Sequence, residues 1–355
     1  LQHLNRKQDT NHVYAVNVET GIPTTVMVDK ENEFIEVYDD VSWLKEANDF
    51  VWISERDGWR HIYRVSANGD SIINLTSGDF DIIEMSAIDE ADGWLYFIAS
   101  PENITQRYLY RSRLDGSGDM QRVTPPEYAG NNGYQISEDA RWAIHTHSSF
   151  TQPPQTRLVS LPDHNTRQVV EDNAELIEKL GNIQWGEHEF FQVQARDGLV
   201  LDGFIMRPAG FDAAKKYPII NFVYGEPWGQ TAQDYWNGSR HVWHMLMAQR
   251  GFIVATVDNR GTRAPRGRAW RRSLYGAVGI LGSRDQSDAL KAMAERWSYI
   301  DTDRVGIWGH SGGGSMTLNM MFRYPDQYHV GVSRAPVTDQ RLYDSIYQER
   351  YSGLL

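Results

Sequence analysis

The first 170 residues of the chain repeat a pattern of short segments in which apolar and polar residues alternate. Alternation over four to eight residues, with many aromatic and β-branched side chains, predicts half-buried β-strands. The middle residues of one such segment are spaced by 49, 47 and 49 positions, at Val13, Ile62, Leu109 and Leu158. Two further segments keep this spacing, one at Val26, Leu75, Val123 and Val170 and the other at residues 50–54, 95–99 and 142–146.

A repeat of roughly 45 to 50 residues built from several short antiparallel strands is typical of β-propeller blades. Closing such sheets into a ring protects their edges, so we predict about four blades of a propeller. Because a ring normally has more blades and the repeat is already in phase at Leu1, we expect further blades upstream of this sequence. An open β-sandwich is the alternative, but it would not account for the constant spacing.

From about Ile183 the pattern changes to nearly continuous apolar strands that alternate with helical segments. This order is typical of a parallel sheet that is covered on both faces. The predicted strands are residues 218–224, 252–257, 305–308 and 330–333. One helix between them is predicted to begin at a capping box formed by Ser283 and Gln286. We therefore divide the chain into propeller blades at residues 1–180 and an α/β domain at residues 181–355.

The sequence Gly309-His310-Ser311-Gly312-Gly313 lies between a predicted strand and a predicted helix. A G-x-S-x-G sequence in this position is the pattern of a nucleophile elbow, which lifts a serine hydroxyl out of the sheet. The flanking glycines leave room for the tight turn. The pattern predicts an α/β-hydrolase domain in which Ser311 is the nucleophile and the amide of Gly312 donates to the oxyanion. A glycine-rich turn with a spectator serine is the alternative.

Composition and charge exclude several classes of protein. The 355 residues carry 35 Lys plus Arg against 47 Asp plus Glu, a net charge of −12, which argues against nucleic acid as a partner. No apolar run approaches the roughly 18 residues that a membrane span needs. The absence of cysteine excludes disulfides and thiolate chemistry but fits any redox compartment. The compartment stays open, with a periplasmic or secreted location slightly favoured over a cytoplasmic one.

Two weaker clusters point to no further ligand. His145 and His147 share one face of a strand, as metal ligands can, but no third ligand is evident, and we expect a pair on a blade surface. One loop also contains six arginines, which we expect to pair with acidic propeller residues: Arg260, Arg263, Arg266, Arg268, Arg271 and Arg272.

Several stretches outside the elbow match the pattern of a known family. Residues 52–59 are similar to a late propeller blade of that family, and residues 257–261 to the strand end that precedes its elbow. Residues 335–337 with 343–354 are similar to the segment that builds its proline-accepting pocket. Over the whole chain the sequence resembles the prolyl oligopeptidase class of serine peptidases, and within it the dipeptidyl peptidase IV branch.

The resemblance implies a serine exopeptidase that releases N-terminal dipeptides from short peptides after proline or a small residue, through an acyl-enzyme on Ser311. It implies that Tyr224 donates its hydroxyl to the oxyanion. It also implies that Val337, Tyr343 and Tyr347 line the S1 pocket, although the i, i+4 spacing of the two tyrosines equally suits a helical core. No cofactor or metal is implied, and a homodimer is left open.

Two departures from the family pattern concern the pocket. Gly312 stands where this branch often carries a tyrosine, and Gln340 stands where an aromatic residue is common. We therefore expect a wider pocket.

The remainder of the catalytic triad is not found in the sequence. In α/β-hydrolases an acid and then a histidine follow the serine, but only 44 residues follow Ser311 and His329 is the single histidine among them. His329, Asp326, Asp339 and Asp344 all come too early. We expect the acid and the base to lie beyond this sequence, so that the chain alone is inactive, and we find no match to the glutamate pair that binds the substrate amine in this family.

Two rival functions stay open. An acylaminoacyl peptidase, an oligopeptidase or an esterase of the same fold would use the same elbow, although a small-ester hydrolase would need no propeller. The non-enzymatic alternative is a propeller binding module with a non-functional hydrolase domain.

Overall fold

The computed structural model describes residues 1–39, 41–45 and 47–354. Its contacts divide the chain into two compact units. The first comprises Leu1–Asn173, Pro265–Ala269 and Leu354, and the second comprises Ala174–Ala264 and Trp270–Gly353. The domain boundary between residues 180 and 181 stays a prediction.

The described residues of the first unit form four antiparallel sheets, and in each sheet neighbouring strands follow one another in the chain. The first sheet consists of β1 (Gln2–Leu4), β2 (Thr10–Val16) and β3 (Pro23–Lys30), and the second of β4 (Ser42–Trp43), β5 (Asp49–Ser54), β6 (His61–Ser66) and β7 (Ile72–Asn74). The third consists of β8 (Ile82–Asp89), β9 (Trp94–Ala99), β10 (Tyr108–Arg113) and β11 (Gln121–Arg122), and the fourth of β12 (Asn131–Ile136), β13 (Trp142–Ser148), β14 (Gln155–Ser160) and β15 (Thr166–Glu171).

The four sheets confirm the predicted blades. The regularly spaced segment forms β2, β6, β10 and β14, one strand in each sheet. The sequence pattern missed β1, β4, β8 and β12. Strands β1 and β4 have only three and two residues, and β8 and β12 include polar residues such as Glu84 and Asn132 among the apolar ones. Apolar side chains from consecutive sheets share a core in which Ile62 packs with Leu95 and Phe97. Burying side chains of this size contributes about 1.5–3 kcal/mol each.

His145 is not part of a surface pair, contrary to the expectation from its spacing. Its side chain is fully buried, its Nε2 lies 2.8 Å from Asn132 Oδ1, and its ring stacks on Tyr134 with centroids 4.6 Å apart. Burial, with the nearby imidazoles of His164 and His147, lowers the pKa of His145 to about 2. Strand periodicity shows that two residues share a face, but not whether another sheet covers that face.

The second unit is built around a six-stranded sheet in the order β16, β17, β19, β18, β20, β21. Its strands are β16 (His188–Gln194), β17 (Val200–Met206), β18 (Tyr217–Phe222), β19 (Ile253–Val257), β20 (Ile300–His310) and β21 (Val330–Arg334). Its helices are α1 (Ala174–Gly181), α2 (Gly238–Gln249), α4 (Ile280–Arg296), α5 (Gly312–Arg323) and α6 (Ser345–Ser352), with a 3-10 turn at Gln340–Leu342. A further helix, α3 (Gly267–Arg272), begins in the first unit and ends in the second.

The four predicted strands β18 to β21 are present and pair in parallel. Sequence analysis missed β16 and β17, which add an antiparallel edge through the pairing of β17 with β19. Apolar residues of the sheet and of the helices form one core, which includes Ile219, Ile253, Ile307 and Met320. No helix among the described residues is long and apolar enough to cross a membrane.

The predicted capping box at Ser283 and Gln286 is wrong. α4 already begins at Ile280, after Gly279 in the left-handed conformation with φ 76°. The Ser283 hydroxyl donates to the Ile280 carbonyl at 3.0 Å, and the Gln286 amide donates to the Val257 carbonyl at 2.7 Å. A glycine therefore starts this helix, and Gln286 fastens it to the end of β19.

The arginine-rich loop is held by carboxylates. Contrary to the expectation of acidic propeller partners, Arg260 pairs within the second unit, where it forms a two-pronged ion pair with Asp285 and a further bond of 2.7 Å to Asp197. In the first unit, Arg268 contacts Glu31 at 2.5 Å, as expected for an acidic propeller partner. These ion pairs give the two arginines a structural role.

Candidate active site

Ser311 lies at the sharp junction between β20 and α5. Its backbone has φ 58° and ψ −120°, a conformation that is costly for any residue with a Cβ. The Ser311 amide donates to the Arg334 carbonyl at 2.9 Å, and the Ser311 carbonyl accepts the first helical bond from Ser315 at 3.0 Å. This strained turn between strand and helix is the geometry of a nucleophile elbow, as the G-x-S-x-G sequence predicts.

Two glycines allow the close approach that the turn requires. A Cβ at Gly309 would lie 2.4 Å from the carbonyl oxygens of Gly313 and Val223, and a Cβ at Gly313 would lie 2.1 Å from the Val223 oxygen. Both distances are far below van der Waals contact. The elbow therefore packs directly against the backbone at the end of β18.

Two donors face the region beside Ser311. Gly312 is the first residue of α5, so its amide has no partner within the helix. Tyr224 follows the end of β18, and its hydroxyl forms no hydrogen bond in the described part of the chain. Burial, and then the charge of Glu226, raise the pKa of Tyr224, so its hydroxyl keeps its proton. An amide and a phenol in these positions can act as a pair of oxyanion donors.

One pocket of about 360 Å³ contains all six residues that the sequence predicted for the site. These residues are Ser311, Gly312, Tyr224, Val337, Tyr343 and Tyr347. Gln340, which the sequence analysis associated with the pocket, is not among the lining residues. The structure therefore brings together the predicted nucleophile, the two oxyanion donors and the three predicted S1 residues.

The two pocket tyrosines do not share one face of a helix, because Tyr343 precedes α6 and only Tyr347 belongs to it. Their rings meet edge to face with centroids 5.5 Å apart. Asp344 caps α6 by accepting the Tyr347 amide at 2.9 Å. Val337 is held by paired bonds of 3.0 and 3.2 Å between its backbone and the Ser315 hydroxyl. Local backbone bonds thus position the pocket wall against α5.

Glu226 is a pocket residue that sequence analysis missed. Its side chain is buried, and its Oε2 accepts a hydrogen bond from the Tyr347 hydroxyl at 2.8 Å. Burial raises the pKa of Glu226, and the bond from Tyr347 partly offsets this. In the sequence, Glu226 stands out only as an acidic residue two positions after Tyr224. The strand pattern alone could not place it beside the nucleophile.

His329 lies away from the elbow. Its Nδ1 accepts from the Val305 amide at 3.3 Å, and Val305 precedes Ser311 by six residues along β20 and its end. At about 3.3 Å per strand residue this corresponds to roughly 20 Å. Within residues 1–39, 41–45 and 47–354, no imidazole forms a hydrogen bond with the Ser311 hydroxyl. This agrees with the prediction that His329 is not the base.

Comparison with protein families gives two matches in chain order. The dipeptidyl peptidase IV N-terminal region matches residues 1–154, and the prolyl oligopeptidase family matches residues 239–355. The first match covers blades of the first unit. The second covers the elbow and the pocket segment.

Curated relatives carry similar names. The chain is 30% identical to a probable dipeptidyl-aminopeptidase B of Emericella nidulans, over 98% of this chain and 39% of the relative. It is also 30% identical to dipeptidyl peptidase 4 of Trichophyton equinum, over 98% of this chain and 45% of the relative. The chain thus spans less than half the length of these relatives.

Solved structures agree with this grouping. The crystal structure of Porphyromonas gingivalis dipeptidyl peptidase 4 matches with a TM-score of 0.92 at 29% identity, covering 99% of this chain and 49% of that one. A putative dipeptidyl aminopeptidase IV from Bacteroides ovatus matches with a TM-score of 0.86 at 27% identity, over 99% and 52% of the two chains. These matches support a β-propeller region followed by an α/β-hydrolase domain. The chain belongs to the prolyl oligopeptidase family of serine peptidases, in its dipeptidyl peptidase IV-like branch.

Proposed function

We propose that this chain provides the nucleophile, the oxyanion donors and the S1 pocket of a serine exopeptidase that releases N-terminal dipeptides. The observation that carries the proposal is the placement of Ser311, in the strained elbow conformation, in one pocket with Gly312 and Tyr224. The names of the curated relatives support the dipeptidyl specificity, which the geometry alone does not select.

The proposed reaction is acyl transfer to Ser311. The Ser311 oxygen bonds to the carbonyl carbon of the P1 residue, the second residue of the substrate, while its proton passes to a general base. The amide of Gly312 and the hydroxyl of Tyr224 stabilise the negative oxygen of the tetrahedral intermediate. The C–N bond then breaks, the departing amine takes the proton, and water later hydrolyses the ester.

The pocket chemistry supports short peptides with proline or a small residue at P1. Apolar surface in the pocket is provided by the rings of Tyr343 and Tyr347 and by the Val337 side chain. Such a surface suits a pyrrolidine ring, because proline has no backbone N–H that needs a hydrogen-bond acceptor. No side chain projects from Gly312, and the carboxylate of Glu226 lies next to the position that a Cβ there would take. We expect P1 selectivity less strict than a pocket closed by a further aromatic ring would impose.

The test is labelling with a fluorophosphonate probe, which reacts with an activated serine. Three proteins are compared: this chain, the full-length protein that contains it, and the full-length protein with Ser311→Ala. We expect labelling of the full-length protein and none of the other two, because the base is expected outside this sequence. Assays with Xaa-Pro and Xaa-Ala p-nitroanilides then measure dipeptide release.

A folded full-length protein that is not labelled would contradict the assignment of Ser311. Labelling without release of dipeptides would instead favour an esterase or an oligopeptidase. Labelling of this chain alone would contradict the prediction that it is inactive by itself.

A further inference from the structure

Glu226 places a carboxylate in the wall of the candidate S1 pocket. The side chain is 8% exposed and lines the same cavity as Ser311 and Gly312. One carboxylate oxygen, Oε2, accepts the Tyr347 hydroxyl at 2.8 Å. The other, Oε1, has no hydrogen bond to any residue that the structure describes. Glu226 is therefore a buried acid with one acceptor oxygen left over.

No cation of the described chain neutralises this carboxylate. Glu226 forms no ion pair, and the effects on its pKa are burial, which raises it, and the bond from Tyr347, which lowers it. Acidic side chains are rarely buried unless they are paired, because removing a charge from water is costly. A binding partner that carries a positive charge would remove this cost.

Gly312 provides the space that Glu226 occupies. A Cβ at position 312 would lie 2.5 Å from Glu226 Oε2 and 2.6 Å from its Cδ. Any side chain at position 312 would therefore displace this carboxylate. The position of the Glu226 carboxylate therefore depends on the absence of a side chain at Gly312.

The other charged groups of the pocket do not offset the charge of Glu226. Asp344 and Arg350 also line the cavity, and their formal charges cancel. Glu226 then determines the sign of the pocket. Its charge also acts on Tyr224, the proposed oxyanion donor. An ionised Glu226 opposes a second negative charge nearby, and a substrate cation beside Glu226 would offset that repulsion.

We propose that Glu226 is a specificity-determining residue, which makes the S1 pocket accept a P1 residue with a positively charged side chain. This inference rests on the proposed function, and it adds lysine-like P1 residues to proline and small residues. The apolar stem of such a side chain would lie along Tyr343 and Tyr347, and its charged end would reach Glu226 Oε1. Glu226 binds the substrate and takes no part in bond breaking.

The experiment compares two substrates that differ only in the terminal charge. The full-length protein is assayed with Ala-Lys and Ala-norleucine p-nitroanilides, and kcat/KM is measured for each. We expect the lysine substrate to be preferred at least tenfold by the wild type. In Glu226→Gln, which keeps the shape and removes the charge, we expect the ratio to fall about tenfold toward unity. Glu226→Asp, which keeps the charge, is expected to retain a preference for lysine.

Glu295 serves as the matched control, because it is an exposed acid on α4 of the same unit. Glu295→Gln is expected to leave the ratio unchanged. The inference is overturned if wild type and Glu226→Gln show the same ratio of kcat/KM values. It is also overturned if Glu226→Gln lowers kcat/KM for both substrates by the same factor, as loss of an anchor for the α-amine or a folding defect would. Failure of the proposed function looks different, because no dipeptide substrate would then be cleaved in a Ser311-dependent manner.

Discussion

The amide of Ser311 donates a hydrogen bond of 2.9 Å to the carbonyl oxygen of Arg334, the last residue of β21. Backbone conformations such as that of Ser311 cost about 1–3 kcal/mol and persist only where the surroundings hold them. Here the neighbouring parallel strand provides one restraint, and the contact of Gly313 with Val223 provides another. The exposed nucleophile thus depends on the register of the sheet around it.

Replacing Gly313 by alanine is expected to destabilise the second unit. The added methyl group would lie 2.1 Å from the Val223 carbonyl oxygen, and a backbone neighbour cannot rotate away. Overpacking of this kind costs about 1–3 kcal/mol or more, which urea unfolding would measure. Gly181→Ala is the control, because a Cβ there meets nothing within 4 Å. Equal stability of the two variants would contradict the close packing of the elbow.

Replacing Tyr224 by phenylalanine is expected to lower kcat of the full-length protein by about 10²–10³, as loss of one oxyanion donor does. The ring and its packing against Gly229 are kept, so the fold is expected to be retained. Tyr324→Phe, at the C-terminal end of α5, removes a hydroxyl away from the pocket and is expected to change kcat less than twofold. If Tyr224→Phe behaves like this control, Tyr224 is not an oxyanion donor.

Asp258 is expected to make stability fall as the pH rises from 4 to 6. It is buried and accepts the Thr231 amide, the Thr231 hydroxyl and the Ala232 amide at 2.8, 2.6 and 2.9 Å. Burial raises the pKa of Asp258 to about 6 despite these donors. The folded protein therefore holds a proton that the unfolded chain releases near pH 4, so this contribution favours folding at low pH and is lost by about pH 6.

The measurement for Asp258 is urea unfolding of the wild type and of Asp258→Asn at several pH values. The difference in the free energy of unfolding, wild type minus variant, should decrease by about 2–3 kcal/mol between pH 4 and pH 6.5. Taking the difference removes the contributions of other titrating groups. A constant difference would show that Asp258 is ionised throughout this range.

His145, in the first unit, is expected to make the protein less stable as the pH falls, which is opposite to the effect of Asp258. Its pKa is lowered to about 2, so below pH 6.5 the unfolded chain takes up a proton that the folded protein excludes. Stability from His145 is therefore present above pH 6.5 and is lost as the pH falls. The difference in the free energy of unfolding, wild type minus His145→Gln, should decrease by about 2–3 kcal/mol as the pH is lowered from 7.5 to 4.5. A flat difference would place His145 in contact with water.

Several features of this protein could be predicted because neighbouring residues determine them. The 47 to 49 residue repeat predicted the four sheets, since each blade is built from consecutive strands. The elbow was predictable because glycine is required where backbone atoms approach within contact distance. The pocket residues could be identified from the resemblance to the family. Tyr347 is brought to the pocket by a short helix that is capped by Asp344.

Other features were decided by tertiary structure. β16 and β17 join the sheet because β17 pairs with β19, whose partner residues lie about fifty positions further along the chain. The burial of His145 depends on what covers its strand, and the start of α4 depends on Gly279 rather than on the capping pattern. Glu226 lies beside Gly312 only because β18 and β20 pair in parallel. Alternation and spacing report the period of an element, whereas burial and charge pairing depend on residues that are distant in sequence.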